Sequence, residues 1–567
     1  MPEHEQLGPR AEPGGPVGPP RPAAPSGPVR GARPPARPEK DAATVPLQAR
    51  PPLGDPADTG TVAHGTVAKG PVASGPVGTG PGATAWPDRM LPLLRTPTAA
   101  RPLLPEPLGA HRPGPAELAA VLDLVLLVGE LLLASGEAAE DVEAAMLAVA
   151  RAYGVHPCDP QVTFTRVAVS CRPGPSEPPL TAERSVRRPS GDYARLAVLF
   201  RLVTAISAGG IDVDEAHRRL AAGVLGGHRY PGWLVALSCG LLAGAATVLV
   251  GGRTDARAAL VFTSAFVAAM VGDRLAVLVA RHDLPEFYQF VLAATPAALI
   301  GILLSFNGLH LRGSAVITGG LYALLPGWRL VAAAQEGLAG CYLTAAARMV
   351  EALYLMTGVV IGVTAVLYVG INHGADLAAR DFPVGASNPP LQLVAAVLVS
   401  LAFAVMLNTE PGALPAVMLN STAGWTTYGV LVGAGRQPIA AAALAAGLVG
   451  LSGQVMARHR GSSALPHVTA ALGPLLPGSV LYFALLAFVR GDAEAGLRGM
   501  AQACAMAMAL AIGVNLGREA ARLCLPAPVP APAPAPVLAP PPVLAPPPVP
   551  ASVPAVRRRA RRGRHRR

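Results

Sequence analysis

Two Pro-Gly pairs, each inside a long apolar stretch, are the residues of this sequence best suited to bind a small polar molecule. Pro326-Gly327 and Pro477-Gly478 each complete the sequence LLPG. Because proline lacks a backbone N–H and obstructs the preceding turn, each pair is expected to interrupt a helix and leave backbone groups without helical partners. Helix ends of this kind can bind the carboxylate and the ammonium group of a ligand. The alternative is a kink that serves only helix packing.

Polar side chains within or at the ends of apolar stretches form a second set of candidates. Asn420 and Thr422 could form hydrogen bonds with a substrate, although such residues more often hydrogen-bond between helices. Glu351 and Glu410 are candidates for carrying a proton, because a carboxylate near the hydrocarbon is unfavourable unless it is paired or functional. Glu351 lies three residues after Arg348, close enough for an ion pair. The alternative for both carboxylates is an ordinary charge at the membrane interface.

No set of residues in the sequence has the spacing of a catalytic site or of a metal site. Glu140, Asp141 and Glu143 could suggest paired carboxylates for hydrolysis, but no nucleophile accompanies them, and this spacing is ordinary for one face of a helix. The His-Pro-Cys-Asp segment 156–159 supplies too few metal ligands. The sequence lacks a Walker motif, which disfavours an ATP-driven pump. We therefore predict no catalytic residue, no metal and no cofactor, and hence a protein that is not an enzyme.

The composition is that of a mosaic of apolar and Pro/Gly-rich segments. The 567 residues are 51% hydrophobic and only 14% charged, yet they include 62 Gly and 61 Pro. We predict a disordered Pro/Gly/Ala-rich tail at 1–112, a small soluble α+β domain at 113–230, two membrane halves at 231–370 and 371–520, and a Pro-rich rod at 521–567. The rod ends in RRRARRGRHRR, which holds most of the net charge of +11 and could contact anionic lipids.

Helical and strand patterns alternate in the soluble domain. The Leu-rich run 118–133 is too short and too charged to span a bilayer, so a core helix is predicted there. A second helix is expected to begin at Ser135, with acidic residues in its first turns that favour the helix dipole. Alternating β-branched residues predict one strand at 162–171, and a Pro-rich basic loop follows over 172–189.

The membrane part is predicted to contain about ten transmembrane helices. Shifting the chain by 151 residues places 321–363 on 472–514, with LLPG, a later glycine and an Ile-Gly-Val triplet in the same order. Ten spans divide into five and five, and because five is odd the two copies must cross the membrane in opposite directions, as an inverted repeat. A duplicated unit with an interrupted helix in each copy points to a transporter. The predicted spans are 232–250, 256–272, 287–306, 314–334, 349–369, 391–408, 413–433, 438–457, 468–488 and 499–517.

Both termini are predicted to face the cytoplasm, with the protein in the plasma (inner) membrane as a multi-pass protein. An even number of spans puts the termini on one side, and the basic tail with Arg518 and Arg522 selects the cytoplasm. No apolar stretch of the kind found in a cleaved signal peptide follows Met1. The arginines of the short loops do not follow the positive-inside rule, so the orientation depends on the flanking segments.

Two features of the sequence carry a resemblance to a known family. The first is LLLASGEAAEDVEAAMLAVARAYGV with the later TFTRVAVS, and the second is LLPG followed by a glycine about thirteen residues on, in both halves. They resemble the first domain and the two membrane domains of the bacterial threonine/serine exporter family. That first domain has a Leu-rich helix, Ser-Gly, a spacer, Val-Glu and a helix that ends in Gly. These places are occupied here by Ser135, Gly136, Val142, Glu143 and Gly154.

The resemblance covers about 115–517 and implies ten membrane helices after a cytoplasmic domain. It implies a secondary active exporter of threonine and serine, coupled to the proton-motive force, so the expected partners are these amino acids, protons and the lipid bilayer. A homo-oligomer is compatible with this prediction. A related branch resembles exporters of dicarboxylates such as succinate, although a dianion should need more than one cation at depth. A third possibility is a membrane-anchored enzyme or sensor that acts through the domain at 113–230, although ten spans exceed what anchoring needs.

Overall fold

The computed structural model describes most of the chain between residues 86 and 524, and all structural statements below concern this described part. Its segments are 86–94, 114–172, 177–186, 191–209, 211–225, 229–251, 256–306, 313–324, 327–373 and 389–524.

The amino-terminal domain, residues 114–225, consists of four helices and a three-stranded sheet. Its helices are α2 Pro115–Ala134, α3 Ala139–Ala152, α4 Tyr193–Ser207 and α5 Val213–Leu225. Helices α2 and α3 pack on each other and on the sheet, and they bury Leu124, Val128 and Met146. The chain therefore places a mixed α and β unit ahead of the long apolar helices, and α2 is not among the helices that could cross a membrane.

Helix α3 begins at Ala139, so the prediction that Ser135 starts this helix is wrong. Ser135 instead ends α2, where its hydroxyl donates a hydrogen bond to the carbonyl of Leu131 at 2.8 Å. The N-cap residue of α3, Ala138, offers no side-chain acceptor. A carboxylate oxygen of Glu336, distant in sequence, accepts a hydrogen bond from the Ala139 N–H at 3.3 Å. Because this partner lies on another part of the fold, no local pattern could indicate where α3 begins.

The sheet has three antiparallel strands, where the sequence predicted one strand and a long loop. The strands are β1 Cys158–Thr163, β2 Arg166–Cys171 and β3 Leu180–Ser185, in the order β1-β2-β3. The prediction at 162–171 merged the end of β1 with β2, and β3 lies in the predicted loop 172–189. Only the central strand β2 has a clear apolar alternation. The two edge strands tolerate polar residues and Pro160, so their sequences resemble loops.

Helix α1, Trp86–Leu94, lies inside the tail that the sequence predicted to be disordered. Trp86 and Leu91 are almost fully buried, and the Trp86 ring packs against Phe200 of α4 with 5.1 Å between ring centroids. The expectation for 1–112 therefore does not hold at these nine residues, because three large apolar side chains, including Met90, find a surface on the amino-terminal domain. The remainder of that tail lies outside the described residues.

The rest of the described chain is a polytopic helical membrane protein. Within the described residues, seven helices are long and apolar enough to cross a membrane, and they coincide with seven of the ten predicted spans. The helices after the amino-terminal domain are α6 Gly232–Gly251, α7 Ala256–Ala280, α8 Glu286–Phe306, α9 Gly313–Leu321, α10 Gly327–Leu338, α11 Tyr342–Asn372, α12 Pro389–Met406, α13 Leu414–Gly433, α14 Pro438–Arg460, α15 Leu465–Thr469, α16 Gly478–Val489 and α17 Ala493–Cys524.

Three predicted spans are not among the seven, for two reasons. Helix α13 is 20 residues long, but Asn420, Ser421 and Thr422 lower its hydropathy. The spans predicted at 314–334 and 468–488 are each divided into shorter helices, α9 with α10 and α15 with α16. A new helix begins in each case at the glycine of the Pro-Gly pair.

The helix boundaries recur at the spacing of the sequence repeat. Both ends of α16 lie 151 residues after the ends of α10, and α17 begins 151 residues after α11. The connecting turns contain Gly340 and Gly491, whose φ angles of 87° and 79° belong to the left-handed region that favours glycine. The matching glycines of the sequence therefore occupy equivalent turns between equivalent helices.

The glycine of each Ile-Gly-Val triplet allows two helices to approach closely. A Cβ atom added to Gly362 of α11 would collide with the carbonyl oxygen of Val291 on α8. A Cβ atom added to Gly513 of α17 would collide with the carbonyl oxygen of Ala443 on α14. Small residues at such contacts let helix backbones pack tightly in a membrane. The repeated triplet therefore has the same packing role in both halves of the sequence.

Replacing either of these glycines with alanine should destabilise the protein. We expect Gly362→Ala and Gly513→Ala each to lower the free energy of unfolding by about 1–3 kcal/mol, because backbone atoms must move to admit the methyl group. The measurement is the thermal midpoint of the purified protein in detergent. Gly429→Ala in α13 is the control, since a Cβ atom there meets nothing within 4 Å. Equal midpoints for all three variants would contradict the packing role.

Candidate functional site

The two interrupted segments meet each other through corresponding residues. The hydroxyl of Tyr322, after α9, donates a hydrogen bond to the carbonyl of Gly473 at 3.0 Å, and these two residues are 151 apart. Gly327, the first residue of α10, faces Leu476, whose Cβ would lie 3.3 Å from a Cβ added to that glycine. Of the predicted site residues, Gly327, Pro477 and Gly478 are buried at this junction, and Pro326 lies outside the described residues. The structure thus brings the start of α10 close to the second helix break.

Asn420 and Thr422 make hydrogen bonds within the protein. The Asn420 amide nitrogen donates to the carbonyls of Val449 and His467, at 3.1 and 3.0 Å, and its oxygen accepts from Ser452. Asn420 therefore ties α13 to α14 and α15. The Thr422 hydroxyl donates to the carbonyl of Met418 in its own helix at 2.8 Å. Substrate binding by these two residues stays a prediction.

The two candidate proton carriers form ion pairs in different places. Glu351 pairs with Arg329 of α10 at 3.1 Å, and Arg329 also contacts Glu286 at 2.8 Å. Arg329, presented by α10 beside α11, is thus an ion-pair partner of Glu351 that the sequence did not indicate. Glu410 pairs with Arg201 of α4 at 2.9 Å, so it joins the membrane part to the amino-terminal domain.

Arg348 forms an ion pair with Glu336 of α10. The two side chains form a buried ion pair at 3.1 Å. Glu336 also accepts the hydrogen bond from the Ala139 N–H that begins α3. This cluster attaches the amino-terminal domain to α10 and α11, which belong to the first copy of the repeat.

A cavity of about 620 Å³ lies between the amino-terminal domain and the membrane helices. One part of its wall consists of Trp328, Leu472 and Leu476, which neighbour the helix breaks. Another part consists of the turn between α2 and α3 together with residues of α14 and α17. A volume of this size is typical of sites for small molecules. Apolar groups near the breaks and polar groups near the amino-terminal domain therefore share one cavity.

The charged groups that line the cavity are mainly acidic. Four carboxylates and two guanidinium groups contribute to its wall. They are Glu137, Glu140, Asp141, Glu519, Arg458 and Arg518. By formal charge the wall is negative, which favours a ligand that carries a positive group.

Glu137 is the most deeply buried of these carboxylates. Burial, reinforced by repulsion from Asp141, raises the pKa of Glu137 to about 7, although a hydrogen bond from the Ser463 hydroxyl at 2.9 Å and the charge of Arg518 oppose this shift. The sequence predicts only that the acidic residues near the start of α3 favour its helix dipole. Three acidic residues close to the Ser-Gly turn, Glu137, Glu140 and Asp141, could have indicated a site. The sequence does not show that α17 lies beside them.

Asp141 and Arg518 form an ion pair in the wall of the cavity. Arg518 lies on α17, in the second membrane half, and the sequence predicts only a topological role for it. The turn before α3 and the first residues of α3 thus contact both membrane halves. Asp141 pairs with Arg518 and Glu137 accepts from Ser463 in the second half, whereas the Ala139 N–H donates to Glu336 in the first half. No group of three or more potential metal ligands was found within the described residues.

These features define a multi-pass helical membrane protein with a ligand-sized cavity next to paired helix interruptions, which is an arrangement typical of secondary transporters. Comparisons with known proteins agree with this class. Residues 123–370 match the family described as "Putative threonine/serine exporter", and residues 392–518 match "Threonine/Serine exporter, ThrE". No solved structure matches the chain.

Two curated relatives are similar over most of the chain. A "Probable threonine/serine exporter" from Mycobacterium tuberculosis is 34% identical over 405 residues, which is 70% of this chain and 75% of the relative. A "Threonine/serine exporter" from Corynebacterium glutamicum is 28% identical over 432 residues, which is 74% of this chain and 86% of the relative. The chain belongs to the threonine/serine exporter family, and the resemblance predicted from the sequence is confirmed.

The raised pKa of Glu137 should make stability depend on pH. Its folded pKa of about 7 exceeds the ordinary value of 4.5, so the folded state holds this proton more tightly. The resulting stability is present below about pH 4.5 and is lost as the pH rises through about 7. We expect Glu137→Gln, which cannot ionise, to raise the thermal midpoint at pH 8 and to reduce the difference between pH 5 and pH 8.

The control for this measurement is Glu494→Gln, an exposed residue that pairs with Arg498. It should retain the pH dependence of the parent. Some dependence should also remain in Glu137→Gln, because burial raises the pKa of Glu143 to about 7. The same pH dependence in parent and Glu137→Gln would contradict the assignment.

Proposed function

We propose that this protein exports threonine and serine from the cell, as a secondary active transporter driven by the proton-motive force. The observation that carries the proposal is the cavity, which joins an acidic wall to the place where two interrupted helices meet. The names of the relatives supply the substrate, because both are described as threonine/serine exporters. An exporter of this family requires no catalytic residue.

The charge of the cavity favours an amino acid over a dicarboxylate. A zwitterion brings one ammonium group to a wall with more carboxylates than guanidinium groups. A dianion such as succinate would bring two further negative charges. At a separation of about 5 Å and an effective dielectric constant of about 20, each pair of like charges is unfavourable by about 3 kcal/mol.

The proposed architecture is ten transmembrane helices arranged as a 5+5 inverted repeat. The 151-residue spacing of the helix boundaries and the Tyr322–Gly473 hydrogen bond at the same spacing support it. In this arrangement the domain at 113–230 and both termini are cytoplasmic. The cavity would then open towards the cytoplasm, where the substrate of an exporter is loaded.

Transport would proceed by rocking of the two halves about the site near Pro326-Gly327 and Pro477-Gly478. Glu351 is the better candidate for the proton carrier, because its partner Arg329 lies two residues after Gly327. Protonation of Glu351 would leave Arg329 paired with Glu286 alone and so alter the contacts at the start of α10. Glu410 is the weaker candidate, because its partner Arg201 belongs to the amino-terminal domain.

Counterflow in proteoliposomes tests the proposed function. The full-length protein should exchange labelled threonine and serine, and an imposed proton gradient should drive their accumulation. Labelled succinate should exchange at the rate of protein-free liposomes. Exchange of succinate without exchange of threonine would establish the dicarboxylate alternative, and the absence of all three activities would favour the membrane-anchored enzyme or sensor.

The helix breaks themselves can be tested by restoring the missing backbone donors. Pro477→Ala and Pro326→Ala should each reduce threonine counterflow at least tenfold, because a continued helix would engage the backbone groups proposed to bind substrate. Pro296→Ala is the matched control, since Pro296 lies inside the continuous helix α8 and belongs to neither Pro-Gly pair. Parental transport by both break variants would show that the pairs serve helix packing alone.

A further inference from the structure

The amino-terminal domain supplies part of the wall of the cavity, and this placement has a consequence for substrate binding. Asp141, at the start of α3, and Arg518, on α17, form an ion pair inside the cavity. Glu137 lines the same cavity from the turn before α3. A carboxylate from one domain, a guanidinium from the other and a second carboxylate are therefore available to a single small ligand.

We propose that an α-amino acid binds in this cavity by inserting between Asp141 and Arg518. Arg518 receives the carboxylate of the ligand, and Asp141 together with Glu137 receives its ammonium group. This inference rests on the proposed function and names the residues that select the substrate. It also makes the amino-terminal domain a part of the binding site.

Charge balance favours this exchange. The Asp141–Arg518 ion pair is closed in the resting cavity, and a zwitterion replaces this pair with two ion pairs without changing the total charge. A buried charge that loses its partner is strongly unfavourable, so a ligand with only one of the two groups leaves either Asp141 or Arg518 unpaired. The site should therefore reject molecules that lack the ammonium group or the carboxylate. Guanidinium groups suit this role because they bind carboxylates through two parallel hydrogen bonds.

Polar neighbours in the wall can distinguish a hydroxylated side chain. Gln454 of α14, Thr469 at the end of α15 and Asn515 of α17 line the same cavity. Amide and hydroxyl groups of this kind can donate hydrogen bonds to the side-chain oxygen of threonine or serine and accept hydrogen bonds from it. Recognition of a hydroxyl group by such partners discriminates strongly against analogues that lack it.

Insertion of the ligand would also act on the attachment between the domains. The Asp141–Arg518 pair joins the amino-terminal domain to the second copy of the repeat, whereas Ala139 and Glu336 join it to the first copy. A ligand that separates Asp141 from Arg518 weakens only the first of these two attachments. Loading of the site would thus change how the two halves are held relative to each other.

The test compares analogues that each lack one charge. In the full-length parent, threonine counterflow should be inhibited only weakly by threonine methyl ester, which lacks the carboxylate, and by N-acetylthreonine, which lacks the ammonium group. Arg518→Gln should raise the KM for threonine at least tenfold without raising the inhibition constant of the methyl ester, because no unpaired guanidinium remains. Asp141→Asn should raise the KM similarly without raising the inhibition constant of N-acetylthreonine. A tenfold change corresponds to about 1.4 kcal/mol of binding free energy.

Arg201→Gln is the matched control, because the Arg201–Glu410 pair also joins the two parts of the protein but neither residue lines the cavity. It should keep the parental KM. Where a variant loses transport, threonine binding in detergent can be followed by tryptophan fluorescence, since Trp86 and Trp328 line the cavity. A dissociation constant weakened at least tenfold in Arg518→Gln supports the site.

Two outcomes would overturn the inference. Parental KM values in Asp141→Asn and Arg518→Gln would show that neither residue contacts the substrate. The second outcome is that Asp141→Asn and Arg518→Gln weaken the binding of threonine and of both analogues equally, and that Arg201→Gln does the same. This result would show that the Asp141–Arg518 pair only holds the domains together. If the parent itself exchanges no threonine, the proposed function fails and this inference fails with it. If the parent exchanges threonine and the two variants keep its KM, only this inference fails.

Discussion

The structure depends on the requirement that backbone polar groups in an apolar environment find partners inside the protein. A continuous helix satisfies this requirement by itself, but the segments containing the two Pro-Gly pairs are not continuous helices. Each segment is tolerated because it lies against the other, where Tyr322 hydrogen-bonds to the Gly473 carbonyl and Gly327 contacts Leu476. The two interruptions therefore stabilise each other, and close helix contacts at Gly362 and Gly513 pack the long helices of both halves.

Charge at the junction with the amino-terminal domain follows a related rule. Buried ionised groups are stable only when they are paired or hydrogen-bonded. Glu336 pairs with Arg348 and accepts a hydrogen bond from the first N–H of α3, and Arg518 pairs with Asp141. Burial, which the Ser463 hydrogen bond and the charge of Arg518 do not fully offset, raises the pKa of Glu137. Such a partly satisfied group, placed in the wall of a cavity, can respond to a ligand or to a proton.

The helix breaks and the charged junction with the amino-terminal domain contribute to the wall of one cavity. The apolar part near Leu476 belongs to the helix breaks, and the acidic part near Glu137 belongs to the amino-terminal domain. An amino acid has both an apolar side-chain carbon and a charged backbone portion, so it suits such a lining. The proposed binding site would make the domain ahead of the membrane helices a component of the transport pathway.

The sequence by itself determined the family, the polytopic helical class and the positions of the interruptions. Apolar run length, Pro-Gly pairs and a fixed repeat spacing are local or periodic properties, so they can be recognised without knowing which residues touch in the fold. Only the tertiary structure decided that Arg329 pairs with Glu351, that Glu336 caps α3, and that Arg518 meets Asp141. Each of these pairs joins different helices, and the last two join residues about 200 and 400 positions apart. Edge strands such as β3 were missed for the same reason, because their hydrogen bonds come from a neighbouring strand and leave little trace in their own sequence.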